Sequence, residues 1–331
     1  MTAGMTKASR TMPESTTGNS FWVRITVIVV THHSAAVIGN CLKNFTDAPN
    51  IVVVDNASDD ETLNIVLATV PQARILRNKI GVGYPGGANL GLSQVETEFA
   101  LTVNPDSVVR PEDVAALLDA ADRFPEGGIL CPQNINLDGS LEWTHDVVMF
   151  NRHSIPFPYN KRQQEPVPEG DLCAEFVSGA VNLIRMSVIH ELGGFDEKLF
   201  LYFDDDDLCM RMRAAGYPLI LAPQARIIHI NAGSVRPSLH YHWEKFWNYG
   251  WARLYLEKKH RGARAMRGLA LRQGTRFLLK ALGYSLTFNF NKALRDWARF
   301  MGTIAFVIGV RAVDPRWKIM NEQERQKNSC D

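Results

Sequence analysis

The chain has 331 residues, 46% of them hydrophobic and 21% charged. That composition excludes disordered and fibrous classes and leaves chain enough for one large domain or two smaller ones. The net charge of +1 gives no uniform field that would point to nucleic acid, but it hides an asymmetry. Residues 251–300 hold 12 Lys/Arg against 2 Asp/Glu, which leaves the rest of the chain at −9.

Residues 1–20 are rich in Ser, Thr and Gly, lack the apolar run of a signal peptide, and read as a disordered leader. Residues 25–30 are a short β-branched run ending in Thr31-His32-His33-Ser34, the pattern of a buried strand that empties into a polar loop. A helix over 36–45 and a strand over 51–54, ending in Asp55-Asn56-Ala57-Ser58, complete a βαβ unit. A helix over 61–70, a strand over 74–77, a Gly-rich loop, a helix over 88–95 and a strand over 99–103 continue the alternation. Such spacing predicts a mostly parallel sheet with helices on both faces. A helix over 111–124 follows, then irregular chain marked by Gly127, Gly128, Pro132 and the 156–168 stretch. Regular structure is expected to resume at Phe176, with helices over 186–191 and 208–215 and a strand over 227–230. Beyond Tyr241 the sequence is aromatic and basic with helical spacing. Its longest uncharged apolar run, 300–310, is half of the roughly 20 residues a spanning helix needs, so the chain is not expected to be integral to a membrane. Five scattered cysteines, none in a C-x-x-C pair, fit a reducing compartment.

Ligands bind an open parallel sheet beyond the carboxyl ends of its strands. Four such ends bring Thr31, Asp55 with Asn56, Asn78 with Lys79, and Asn104-Pro105-Asp106 to one edge. Each alone is also a good turn or cap; four in register favour a binding crevice. The G-x-G-x-x-G of Gly81–Gly86 follows the third strand, not the first, so it does not read as a dinucleotide fingerprint. The run Asp204-Asp205-Asp206-Asp207 is costly in self-repulsion, and helix capping explains one or two of the four. His229 lies in an apolar strand; with Asp106 it would form a mixed oxygen and nitrogen site suited to manganese or magnesium.

These residues resemble glycosyltransferase family 2, inverting nucleotide-sugar transferases of the GT-A fold, and within it the bacterial rhamnosyltransferase and galactofuranosyltransferase branch. The resemblance runs from Ile25 to Ser234. It rests on Val54-Asp55-Asn56-Ala57-Ser58, Asn78 with Gly81 through Gly91, Asn104-Pro105-Asp106, Phe176-Val177-Ser178-Gly179-Ala180, Gly194-Phe195-Asp196-Glu197, and Leu201 through Leu208 with Arg211 and His229. It implies an α/β, Rossmann-like sheet flanked by helices, with a GT-A domain over 21–238 and a basic, aromatic helical extension over 239–331. It implies that Thr31, Asp55 and Asn56 hold the nucleotide, with Lys79 and the Gly86-Gly87 loop near the diphosphate. Asn104 and Asp106 stand at the family's D-x-D motif, with Asn104 replacing its first aspartate. Asp106 and His229 are then the implied ligands of a divalent metal, Mn2+ or Mg2+. Asp205 falls on the general base and Asp204 on its acidic neighbour, while Ser178, Gly179 and Ala180 line the sugar and acceptor pocket.

The expected activity is transfer of rhamnose or another hexose from a nucleoside diphosphate to a saccharide or polyprenyl-linked acceptor, in cell-surface polysaccharide or glycolipid synthesis. The expected location is the cytoplasm or the cytoplasmic face of the inner membrane; the extension reads either as a solvated, core-packing helical face or as a segment touching lipid, with no role for nucleic acid. Two rivals are a nicotinamide-dependent oxidoreductase using Gly81–Gly86 and a catalytically silent sugar-nucleotide-binding scaffold.

Overall fold

A computed structural model describes residues 21–151, 168–230 and 238–313. The expected leader, nearly all of the 156–168 stretch and the Ser234 end of the family resemblance lie outside the described residues.

The first half alternates as its sequence predicts: β1 (Ile25–Thr31), α1 (Ile38–Leu42), β2 (Ile51–Asn56), α2 (Thr62–Thr69), β3 (Arg74–Asn78), α3 (Gly83–Leu92) and β4 (Phe99–Val103). There follow β5 (Ser107–Val108), α4 (Pro111–Arg123), β6 (Ile129–Ile135), β7 (His145–Asp146), β8 (Leu172–Ala174) and β9 (Phe176–Val177). Next come β10 (Val181–Arg185), α5 (Met186–Glu191), α6 (Asp204–Ala214) and β11 (Leu219–His229), and finally α7 (Leu239–Leu286) and α8 (Phe290–Val307). Among the described residues the main sheet has nine strands in the order β3-β2-β1-β4-β10-β6-β11-β5, with β8 also on β11. β1 to β4, β6 and β11 run parallel, and β10 is inserted antiparallel between β4 and β6. β1, β2 and β4 are buried along their whole length, as expected of strands covered on both faces.

Three elements differ from the sequence reading. The region expected to be irregular contains β6, a central strand that includes Pro132. β10 pairs only with Ile129 and Leu130, and the register with β11 shifts just past Pro132, between Ala222 and Arg226, so the missing N–H disrupts little. The strand expected over 227–230 is the end of the longer β11. Helix α3 starts five residues before the expected 88, although glycine disfavours helix, because tertiary packing overrides propensity. A Cβ on Gly87 would lie 2.7 Å from the Val30 side chain, and one on Gly91 2.6 Å from that of Ile28. Gly83, at φ +72°, has no room for a Cβ against the Phe200 carbonyl. The glycines at 83, 87 and 91 therefore bring α3 onto β1 and the 199–203 loop.

α7 is broken at Gly262 (φ 85°) into arms of 239–261 and 263–286. The first arm crosses α8 where Gly250 meets Arg299 backbone and Gly302 meets Trp247 backbone, contacts that exclude any side chain. Gln273 of the second arm donates to the Gly250 carbonyl (3.1 Å) and to Thr303 Oγ1 (2.8 Å), closing a three-helix unit. No helix among the described residues is long and apolar enough to cross a membrane.

Candidate active site

The parallel register sets Thr31 beside Asp55 and Asn56 beside Asn78 at the carboxyl edge. Thr31 is fully buried, and its hydroxyl oxygen makes no hydrogen bond among the described residues. Asp55 is also fully buried. Burial pushes its carboxyl up, while hydrogen bonds from Ser58 and the charges of Arg77 and His32 pull it back. The Ser58 N–H reaches both Asp55 oxygens at 3.3 Å, and Arg77 Nε lies 3.5 Å away. His32, unassigned by sequence, meets the Asn56 carbonyl through Nδ1 at 2.6 Å and so sits on the same rim.

Two sequence expectations change here. The Asn56 side chain donates to the Gly83 carbonyl (2.9 Å) and accepts from Asn78 (2.8 Å), so both its polar atoms are engaged in clamping β2, β3 and α3 together. Gly86 and Gly87 do not form a loop; both are buried inside α3, and Gly87 packs against Val30 of β1 and Asn56. Lys79 is exposed on the turn after β3.

The second cluster forms where β4 ends. Asn104 donates its N–H to the Ala180 carbonyl (2.8 Å), tying the Asn104–Asp106 segment to Ser178–Ala180. Pairing of His229 with Ser107, and an Ile230 N–H to the Asp106 carbonyl (2.9 Å), bring the end of β11 to the same place. His229 Nε2 lies 3.5 Å from Asp106 Oδ1, and Nδ1 lies 2.9 Å from Glu142 Oε2. Sequence reasoning brought Asp106 and His229 together but missed Glu142. The available signal was Asp138-Gly139, a hairpin turn pair: Gly139 has φ +81°, and the returning chain sets the Glu142 N–H on the Asn134 carbonyl at 3.0 Å. Burial works against charge on His229, but hydrogen bonds and charges from Asp106 and Glu142 prevail and push the imidazole up to about 9.

The donor set suits a divalent cation. A carboxylate and an imidazole nitrogen adjoin, and the other ring nitrogen is held by a carboxylate, the usual outer partner of a metal-bound histidine. Among the described residues no three His, Cys, Asp or Glu side chains make a ready cage, so a cation here would draw further ligands from phosphate and water, as magnesium and manganese sites do.

The third cluster is α6. The structure starts this helix at Asp204, with Phe203 as its N-cap, so none of the four aspartates is the cap. Tyr202 and Phe203 hold φ of 71° and 63°, consecutive left-handed residues of a kind that cost energy and collect at functional sites. Their rings pack on Tyr249 of α7 at 5.8 and 5.3 Å. Asp204 is half-buried, and burial first, then repulsion from Asp205 and its neighbours, pushes its carboxyl up to about 8. A Cβ on Gly179 would lie 3.3 Å from Asp205 Cβ and 3.6 Å from Oδ2, so this glycine lets its segment pack closely on Asp205 where a side chain would crowd it.

Asp207 differs from its neighbours. It is fully buried and accepts from Arg211 Nε (2.8 Å), Lys259 Nζ (2.7 Å) and His260 Nε2 (2.8 Å). Burial raises its carboxyl, but His260, Lys259 and Arg211 outweigh that and hold it down at about 2. Lys259 also reaches Asp196 at 2.6 Å, so the extension is latched to α6 and to the Gly194–Glu197 segment. A depressed carboxylate stabilises the fold above its unfolded pKa and loses that contribution as pH falls through its folded pKa. Asp207→Asn should therefore cost about 2 kcal/mol or more at neutral pH, and the difference should fade between about pH 4 and pH 2. Thermal melts across that range check this; parallel curves for the two proteins would contradict it.

The family described as glycosyl transferase family 2 matches residues 26–193. The chain belongs to that family. Over 212 residues this glycosyltransferase is 28% identical to the N-acetylglucosaminyl-diphospho-decaprenol L-rhamnosyltransferase of Mycobacterium tuberculosis, covering 57% of this chain and 69% of that relative. S. aureus TarS 1-349 in complex with UDP-GlcNAc aligns with a TM-score of 0.50 at 15% identity, covering 86% of this chain and 92% of TarS 1-349. GalNAc-T7 with UDP, GalNAc and Mn2+ aligns with a TM-score of 0.51 at 16% identity, over 66% of this chain. The chain spans 45% of that GalNAc-T7 structure. These likenesses give the GT-A fold, and with the family they make the chain a nucleotide-sugar glycosyltransferase with rhamnosyltransferase-like relatives.

Proposed function

We propose that this glycosyltransferase moves rhamnose or another hexose, with inversion, from a nucleoside diphosphate to a saccharide or polyprenyl-linked acceptor in cell-surface polysaccharide or glycolipid synthesis. Residues 21–238 form the catalytic domain, working at the cytoplasmic face of the inner membrane. The observation that carries the reading is the close packing of Gly179 on Asp205, in a segment joined by the hydrogen bond from the Asn104 N–H to the Ala180 carbonyl to Asp106 and His229.

Thr31 and Asp55 bind the nucleoside, with Thr31 supplying a hydroxyl that has no partner among the described residues. Lys79 reaches the diphosphate from the turn after β3. Asp106 and His229 would hold Mn2+ or Mg2+, with Glu142 orienting the imidazole, and such a cation would supply charge neutralisation for a departing diphosphate. Ser178, Gly179 and Ala180 form the wall on which the sugar and acceptor meet. Asp205 takes the proton of the acceptor hydroxyl as that oxygen attacks the anomeric carbon from the side opposite the leaving group. Asp204, close beside it, is pushed up to about 8 and so stays protonated near neutrality. This direct displacement needs no protein nucleophile.

A panel of activated sugars, incubated with the enzyme and scored for nucleotide release, identifies the donor. NMR of the product then reads the anomeric configuration. The expected result is a configuration opposite to that of the donor and release that stops on chelation of divalent cations. Retained configuration would overturn the mechanism, and binding of nucleotide without turnover of any donor would favour the scaffold.

A further inference from the structure

The second arm of α7 and its turn into α8 present a surface that neither the transfer chemistry nor the packing of the extension uses. Gln273, Gly274, Phe277 and Ala281 form the buried side of this arm. Away from it, Leu271, Thr275, Leu279, Leu282 and Leu286 recur at steps of three and four and so share one stripe. Leu271, Leu279 and Leu286 are 75%, 64% and 80% exposed, so the protein's own packing leaves the stripe open. Arg272, Arg276 and Lys280, each one residue on from a stripe position, form a parallel row of exposed cations. At the end of the arm Phe288 and Phe290 are 77% and 74% exposed, with their rings 6.4 Å apart. Phe288 sits at φ 55°, where glycine would be unstrained, so a bulky aromatic is held in a strained turn at the exposed tip. Residues 258–295 contain 10 Lys/Arg and no Asp/Glu.

We propose that this face docks on an anionic lipid bilayer, with the leucine stripe and the two phenylalanines in the interface and the cation row on the headgroups. The charge selects this occupant. A second copy of the chain would bring two rows of like charge together, whereas anionic headgroups complement them. Nucleic acid would meet the cations but leave the leucines and phenylalanines in water. A helix with a basic row beside an apolar stripe lies in the plane of the interface and does not cross it. The proposal is independent of which sugar the cleft transfers.

The test is co-sedimentation of the full chain with vesicles of phosphatidylcholine alone and with roughly one third phosphatidylglycerol. Binding is expected on the anionic vesicles only, weakened by salt. The triple variant Arg272→Glu, Arg276→Glu, Lys280→Glu should lower the partition coefficient by about a hundredfold. Leu279→Asp with Phe290→Ser should lower it about tenfold or more. All these positions are exposed, so both variants should keep the wild-type melting temperature and nucleotide release with a soluble acceptor. Absence of binding to either vesicle, or binding unchanged in both variants, overturns the proposal. So does sedimentation velocity showing a dimer that Leu279→Asp dissociates, which would assign the face to a second copy.

Discussion

Asp205→Asn should lower the turnover number by about 10²- to 10⁴-fold, the range a positioned general base contributes, while the dissociation constant for the nucleotide donor changes little. The asparagine keeps the size of the side chain and an oxygen to accept the hydrogen bond that the Asp206 N–H donates to Asp205 Oδ1 (2.9 Å), so a loss of this kind reports on proton transfer and not on the start of α6. Asp204→Asn is the necessary control. With its carboxyl pushed up to about 8 by burial and by Asp205, Asp204 is protonated near neutrality. An asparagine at 204 resembles that protonated carboxyl and leaves the charge at Asp205 in place. Much of the turnover should therefore be retained in Asp204→Asn near neutrality, with any limb that titrates near 8 lost from the pH–rate profile. Full activity in Asp205→Asn would remove it from the reaction, and equal losses in both variants would make the pair structural.

The run of four aspartates also shows how far the sequence could be read. Their mutual repulsion marked them as functional, and the structure separates them by environment. Asp204 and Asp205 lie beside Gly179, whereas Asp207 is neutralised by Lys259 and His260 from a helix more than fifty positions along. Local patterning carries no information about that partner, so the fourth aspartate could not be told from the second. The parallel half of the sheet was legible because buried β-branched runs and polar strand ends lie close together in the chain. The second half was less so. β6 contains a proline that only its neighbours make tolerable, and α3 is a glycine-rich helix that only its contacts with β1 justify. Asn56 had the same position and polarity as a ligand-binding residue; its role as a clamp became visible once Gly83 and Asn78 were placed against it. The same limit applies to Glu142, which reaches His229 across 87 positions of sequence by way of a hairpin.

Asp106→Asn should abolish the stabilisation that Mn2+ adds to a nucleoside diphosphate in thermal melts, and should lower transfer by about a hundredfold or more, because the lost ligand is a charged oxygen and the amide is a far weaker donor to a hard cation. The fold should tolerate the change, since the link from Ile230 to this residue uses the Asp106 backbone carbonyl and not its carboxylate. Glu142→Gln separates orientation from ligation. Its carboxylate lies 2.9 Å from His229 Nδ1 and helps keep the imidazole protonated, so it has two opposed effects: it fixes the ring with Nε2 toward Asp106, and it strengthens the proton that a metal must displace. If orientation dominates, Glu142→Gln should weaken Mn2+ binding by about 10- to 100-fold, as loss of an outer partner of a ligating histidine does, and the nucleotide alone should bind as before. Titration of Mn2+ at fixed nucleotide, read by thermal stability and by product formation, measures both effects. Unchanged Mn2+ dependence in Asp106→Asn would move the cation site elsewhere; tighter Mn2+ binding in Glu142→Gln would show that proton competition outweighs positioning at His229.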